Sequence, residues 1–283
     1  MGVKTIASLN FEQRLPRVAA STYLNSAPLI WSFLHGSRRN QVSLVDAVPA
    51  RCADLLAQRE VEAALVPVIE YQRIPDLAVV PDVCVGSTGR VRSVVLVSRI
   101  NNLKEIRSVA LDESSRTSAT LVKIIFAEFV CHLPTWKSYS PDLPRMLSEN
   151  DAALIIGDPG MTFSREGILV WDMASLWNHF TGLGFIFAMW MTRPDTSAQA
   201  RNIDFAAARD EGLDRIEEII TSYERSLGLS SSDIRTYLTE NISFRVNENM
   251  GRGLQLYFEL ARKHNLIDEL KPLKFGFIAG IGK

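Results

Sequence analysis

The chain of 283 residues holds few of the side chains that announce chemistry by themselves. Its 31 Lys and Arg residues offset 32 Asp and Glu for a net charge of −1, so no basic stripe for nucleic acid is present. That balance leaves room for a small anion, which needs only a local site. No apolar run approaches the ~20 residues of a membrane span. The first residues, MGVKTIASLNFEQRLPR, lack the apolar core of about 7–15 residues and the small-residue cleavage site of a secretory signal. Cys52, Cys84 and Cys131 are odd in number and scattered, which fits buried thiols in a reducing cytoplasm. His35, His132, His179 and His264 stand alone, with no metal-ligand spacing. A G-x-S-x-G elbow, a Walker A loop and a G-x-G-x-x-G after a strand are all missing. Gly86-Ser87-Thr88-Gly89 is too short and irregular to hold a nucleotide, and no Cys or Ser has an adjacent histidine to serve as its base. The expectation is a cytoplasmic chain with no metal and no cofactor.

What the chain does have is apolar mass, 47% of its residues, enough for a large core split into two lobes. Apolar strand-like runs alternate with helical patterns, the mark of an α/β fold with parallel strands. Strands are expected at 17–20, 42–46, 63–67, 77–85 and 91–99, with helices at 28–34 and 50–58, the latter opened by Pro49. The pattern then restarts, with strands at 108–111, 135–139, 152–156, 168–171 and 185–192. The helices between them are expected at 117–130, 143–148 and 176–180. After Arg193 the chain reads as helical, and two apolar stripes mark core faces. One is Leu213, Ile216, Ile220, Tyr223 and Leu227; the other is Leu254, Tyr257, Phe258 and Ala261. The reading is a first lobe of 17–100 plus 193–283 and an inserted second lobe of 101–192. Hinges would lie near 99–103 and 185–193, with ligand held in the cleft between lobes at strand ends.

One segment stands out. Val109-Ala110-Leu111-Asp112 ends in Glu113-Ser114-Ser115-Arg116-Thr117-Ser118 and passes at once into a helical pattern. Helix N-termini carry unpaired N–H groups and partial positive charge, and so seat anions. One hydroxyl would suffice for a cap; four crowd here. An ordinary N-cap with spare surface serines is the alternative. Other polar residues fall at strand ends too. Asn25, in Tyr23-Leu24-Asn25-Ser26-Ala27-Pro28, offers a donor and an acceptor to a ligand, or else serves as a turn residue before a helix. Ser93 and Arg92 open the long strand and can face the cleft, or belong to a solvated basic face. Asp158, in Gly157-Asp158-Pro159, touches ligand or fixes its own loop as an Asx-turn.

The ordered set YLNSAPL, SSRTSATL, DAALIIGDPG and TGLGFIFAMW resembles the chorismate dehydratases of the futalosine route to menaquinone. VPARCADLL, VPVIEY, GRVRSVVLVS and VALDESSRTS add to the likeness, which spans about 18–190 and runs more loosely through the C-terminal helices. The resemblance implies a two-lobed type II periplasmic-binding-protein (Venus flytrap) fold working as a hydro-lyase inside the cell. Its substrate would be chorismate, converted to 3-[(1-carboxyvinyl)oxy]benzoate and water. Nucleic acid, membrane and cofactor would play no part, and the enzyme would be a monomer or homodimer. On that basis Asn25 is the expected catalytic residue, orienting the reacting groups. Ser115, Thr117 and Ser118 would receive a substrate carboxylate, with Ser93 a second anchor and Asp158 a further contact. The resemblance implies substrate-assisted elimination, in which the enolpyruvyl carboxylate takes the proton, and the missing conventional base is consistent with it; Asp158 as general base is the competing assignment. Gly160-Met161 stands where Ala-Leu is usual, Gly184 replaces a usual Pro, and Glu62 an expected Asp. A solute-binding or sensing protein for small anions is the alternative function, though it would carry an export signal or anchor. The later pathway enzyme acting on a cyclised futalosine derivative would favour other motifs.

Overall fold

A computed structural model describes residues 15–273; most of the leader reading and the last ten residues of the expected first lobe lie outside that range. Ten strands form two five-stranded sheets. The strands are β1 (Arg17–Ala20), β2 (Ser43–Asp46), β3 (Ala63–Pro67), β4 (Ala78–Ser87) and β5 (Val94–Ser98), then β6 (Ser108–Asp112), β7 (Thr135–Tyr139), β8 (Ala152–Ile156), β9 (Leu169–Asp172) and β10 (Phe185–Thr192). The first sheet runs β2-β1-β3-β10-β4 and the second β7-β6-β8-β5-β9. Every residue of β3, β5 and β8 is buried. That explains why they read as unbroken apolar runs: both faces of a sheet flanked by helices are covered.

The sheets move the lobe borders. β5 pairs antiparallel with β8 and β9 of the second sheet, while β10 pairs antiparallel with β3 and β4 of the first. The expected borders at 100 and 193 therefore assign each of these strands to the wrong sheet, and the chain crosses between Ser87 and Val94 and again between Thr181 and Phe185. The hydrophobic run of a central strand carries no label for its partner, which is why the sequence left both on the wrong side. The sheets are accordingly mixed, each holding one strand inserted against the parallel direction. β5 is also shorter than the run 91–99. Arg92 adopts a left-handed backbone, φ 64°, and the N–H groups of Val91 and Arg92 donate to the Asp172 carboxylate at 3.1 and 2.6 Å instead of joining a ladder.

Proline at the first turn opens the helices Ala27–His35 and Pro49–Ala57, where a missing N–H costs no hydrogen bond. The helix Arg116–Ile124 continues as a π-turn over Ile125–Val130 and ends on Cys131 in the left-handed conformation. Cys52 and Cys84 are buried, but Cys131 at this helix end is exposed, contrary to the expectation of three buried thiols. The long C-terminal stretch breaks at Arg215 into Phe205–Asp214 and Ile216–Leu227. It is completed by Ser231–Thr236 and Glu248–Lys263. Leu254, Tyr257, Phe258 and Ala261 are all buried, as their spacing foretold. One apolar cluster runs through both lobes, from Val18 and Val66 to Leu111 and Leu154, and a smaller one lies between β5, β6, β8 and the helix Leu143–Glu149. No helix among the described residues is long and apolar enough to cross a membrane.

The first lobe depends on a close helix crossing. A Cβ on Gly212 would overlap the backbone carbonyl of Pro28, so the helices Ala27–His35 and Phe205–Asp214 meet backbone to backbone. Gly212→Ala is expected to destabilise the protein by about 3 kcal/mol, at the upper end of overpacking costs because backbone cannot rotate away. A urea or thermal melt checks this, and an unchanged midpoint would show that the helices separate freely.

Candidate active site

Between the sheets lies a cleft of about 510 Å³, lined from the first lobe by Ser21, Tyr23, Asn25, Pro67 and Phe187 and from the second by Ser114–Ser118 and Gly157. The ends of β1, β3, β6 and β8 all open onto it, as the strand-end rule for α/β folds requires.

The hydroxyl-rich loop does not act as a cap. Ser115 is the N-cap residue of Arg116–Ile124, yet its side chain makes no capping hydrogen bond. Among the described residues, no protein acceptor takes the N–H of Thr117 or Ser118; the first amide bonded back is that of Ala119, to the Ser115 carbonyl. Ser115, Thr117 and Ser118 are buried and line the cleft. Two helix amides and three hydroxyls thus converge on the same space, with the helix's partial positive charge behind them. The Thr117 hydroxyl accepts from the Ile69 amide at 3.3 Å, which leaves its own proton to donate. The remaining hydroxyl, Ser114, donates to Asp112 at 2.6 Å. Asp112 also receives the N–H of Ser114 and of Ile156, tying the loop to β8. Burial holds the Asp112 carboxyl above the usual carboxylate range.

Arg116 also lines the cleft, but its guanidinium is engaged by carboxylates. Its guanidinium donates to Asp54 at 2.7 Å and to the buried Glu70 at 3.0 Å, both in the first lobe. It clamps the lobes together.

Asn25 sits opposite the seat, on the turn Leu24–Ser26. Its Oδ1 accepts from the Ser26 hydroxyl at 3.1 Å, and Ser26 lies 3.1 Å from the Ser21 hydroxyl. With Oδ1 held by this pair, the amide NH₂ of Asn25 is the end left for the cleft. Tyr23 lines the cleft too. Its phenol is pushed up to about 12, chiefly by burial and then by the charges of Asp112 and Asp158, so it stays a proton donor at neutral pH. Its ring lies over Gly157, whose φ is 67°; a Cβ there would stand 2.7 Å from the ring carbons. Glycine meets both demands at once, the left-handed backbone and the close approach.

Two expected residues stand elsewhere. Ser93 is fully buried; its hydroxyl accepts from Tyr237 at 2.7 Å, and its carbonyl accepts from the Gly157 amide at 2.8 Å. It does not line the cleft and supports the loop that does. Asp158 lies outside the lining as well. Its Oδ1 accepts from the Leu24 amide at 3.0 Å, a bond from the second lobe to the turn that carries Asn25. Burial raises the Asp158 carboxyl to about 6. Folded protein therefore holds this proton more tightly than the unfolded chain, whose carboxyl titrates near 3.8. Stability is then expected to fall as pH rises from about 4 to about 6, by about 3 kcal/mol from this group. Asp158→Asn should remove most of that fall in urea midpoints measured across the window. An equal fall in the variant would place the titration elsewhere.

Residues 16–263 match the family described as menaquinone biosynthesis. The chain belongs to that family. It is 31% identical over 256 residues to the chorismate dehydratase of Thermus thermophilus, covering 84% of this chain and 92% of that protein. Solved structures share the fold. A protein from Archaeoglobus fulgidus superposes with a TM-score of 0.69 at 18% identity, over 91% of this chain and all of that one. The alkanesulfonate-binding protein SsuA from Xanthomonas axonopodis pv. citri, bound to MOPS, does so with 0.65 at 12%, over 94% and 96%. The fold is thus the periplasmic-binding-protein type that the motifs implied. Gly160, Gly184 and Glu62, three of the four positions at which the resemblance implied another residue, each have a local partner. Gly160 packs under the Ser93 carbonyl, which a Cβ would approach to 2.9 Å. The Gly184 amide donates to Asn249 at 2.5 Å, a bond proline cannot make. Glu62 accepts from the amides of Arg17 and Ser197.

Proposed function

We propose that the chain is a chorismate dehydratase, converting chorismate to 3-[(1-carboxyvinyl)oxy]benzoate and water in menaquinone biosynthesis, in the cytoplasm and without a cofactor. The observation that carries this reading is the uncapped helix terminus: the free amides of Thr117 and Ser118 with the hydroxyls of Ser115, Thr117 and Ser118, facing Asn25 across the cleft. Chorismate is a dianion. The ring C–H at the carbon bearing the enol-ether oxygen breaks, the neighbouring C–OH breaks, a ring double bond forms, and proton and hydroxide leave as water. Negative charge from the broken C–H bond spreads onto the ring carboxylate before aromatisation discharges it. A site for this reaction must hold two carboxylates in one pose and stabilise charge that grows on one of them. Fixed donors aimed at that carboxylate do both.

In this reading Ser115, Thr117 and Ser118 receive a substrate carboxylate, and the Asn25 amide orients the enolpyruvyl group and the leaving hydroxyl. The enolpyruvyl carboxylate takes the ring proton. Asp158 holds the Asn25 turn through Leu24, and Ser93 supports Gly157 beneath Tyr23; neither contacts substrate. Incubating the purified protein with chorismate should give a rising aromatic absorbance and a product lighter by one water. Tight binding without product would replace this reading with a solute-binding or sensing role.

A further inference from the structure

A group of cations lies outside the cleft, around an open pocket of about 810 Å³ on the second lobe. Arg90, Arg92 and Arg165 line it, with Trp171 and His179. Among the described residues, neither Arg90 nor Arg165 forms a salt bridge; Arg165 lies over the Phe163 ring, 5.6 Å from its centre. The one acid in the lining, Asp172, is already occupied by the backbone amides of Val91, Arg92 and Ser175. Burial, then repulsion from Arg90 and Arg92, lowers the Arg165 guanidinium below its usual range against a smaller pull from Asp172. Three arginines gathered around a pocket whose lining holds one carboxylate are a ready match for multiply charged oxyanions.

The position gives the pocket a consequence. Arg90 and Arg92 belong to the crossing between β4 and β5, and the helix Met173–Thr181 on the other side leads into the second crossing. Arg92 also reaches the first lobe, but poorly: its guanidinium lies 3.4 Å from the Asp233 carbonyl and 3.5 Å from its carboxylate. Those are long contacts for a charge-assisted pair.

We propose that this pocket is a second anion site, built to take a small oxyanion with two or more negative charges, and that its occupation draws Arg92 away from Asp233 and loosens the tie between lobes at the hinge. Phosphates and polycarboxylates share this chemistry, so inorganic pyrophosphate and citrate serve as separate probes in calorimetric titrations at physiological salt. The site predicts saturable binding of one or both, weakened about tenfold or more in the Arg90→Ala/Arg165→Ala double variant and unchanged in Ser118→Asp, which blocks the cleft seat instead. Absence of saturation at millimolar probe overturns the site. So does equal binding by the double variant, or loss in Ser118→Asp. The preferred probe should also shift the chorismate KM of the native protein and leave that of the double variant unmoved; a KM unmoved in both overturns the link to the hinge. Binding is read without turnover, so its failure is distinct from failure of the dehydratase assignment.

Discussion

Replacing Asn25 with Ala is expected to lower the single-turnover rate of bound chorismate by about 10²–10³, while its dissociation constant changes by less than about tenfold. The size follows from what the side chain supplies. Its carbonyl end is fixed by Ser26, itself beside Ser21, so the amide NH₂ is held in place before substrate arrives. A donor fixed in this way stabilises charge at no reorganisation cost in the transition state. Asp158→Asn is the companion measurement. Asparagine keeps an oxygen acceptor for the Leu24 amide, so turnover should stay within about fivefold if Asp158 only holds the turn. If instead Asp158→Asn abolishes turnover with binding intact, and Asn25→Ala turns over fully, then Asp158 is the base and the substrate-assisted route is wrong.

The second large effect is expected at Ser118. Ser118→Asp places a carboxylate among the free amides of the helix terminus, where a negative charge favours the helix. The fold should therefore hold, with an unchanged or higher melting temperature. Chorismate binding should drop by about 10³, because the new carboxylate occupies the donors and repels the dianion. Ser118→Ala, which removes one hydroxyl and leaves the amides, should cost only about tenfold. Binding that survives Ser118→Asp would mean the substrate carboxylates lie elsewhere in the cleft. The pair separates loss of a seat from loss of structure.

These residues were also the ones the sequence displayed most openly. Four hydroxyls between a buried strand and a helix exceed any capping need, and Ser115 indeed caps nothing. Asn25 was visible as a side chain with two functions at a strand end. Ser93 misled because it precedes a β-branched strand whose face cannot be read once the backbone turns left-handed at Arg92. Its partner, Tyr237, lies 144 residues further along the chain. Tyr23 carried no signal of its own; its place depends on Gly157, brought from the other lobe. Strand positions followed from hydrophobic runs almost throughout, whereas the sheet membership of β5 and β10 did not. Burial fixes where a strand forms, and pairing across the whole fold decides which neighbour it takes.

The exchange of β5 and β10 bears on how the chain matures as it leaves the ribosome. The second sheet is assembled from a continuous stretch, Val94 to Asp172, so all of its ladders can close as soon as that stretch has emerged. The first sheet cannot: β3 and β4 are joined only through β10, which is synthesised about a hundred residues after β4 begins. Until then the earliest-made lobe has an unfilled gap between β3 and β4. The inserted lobe is thus the one positioned to fold first, and the strand made after it, β10, completes the lobe that was begun before it.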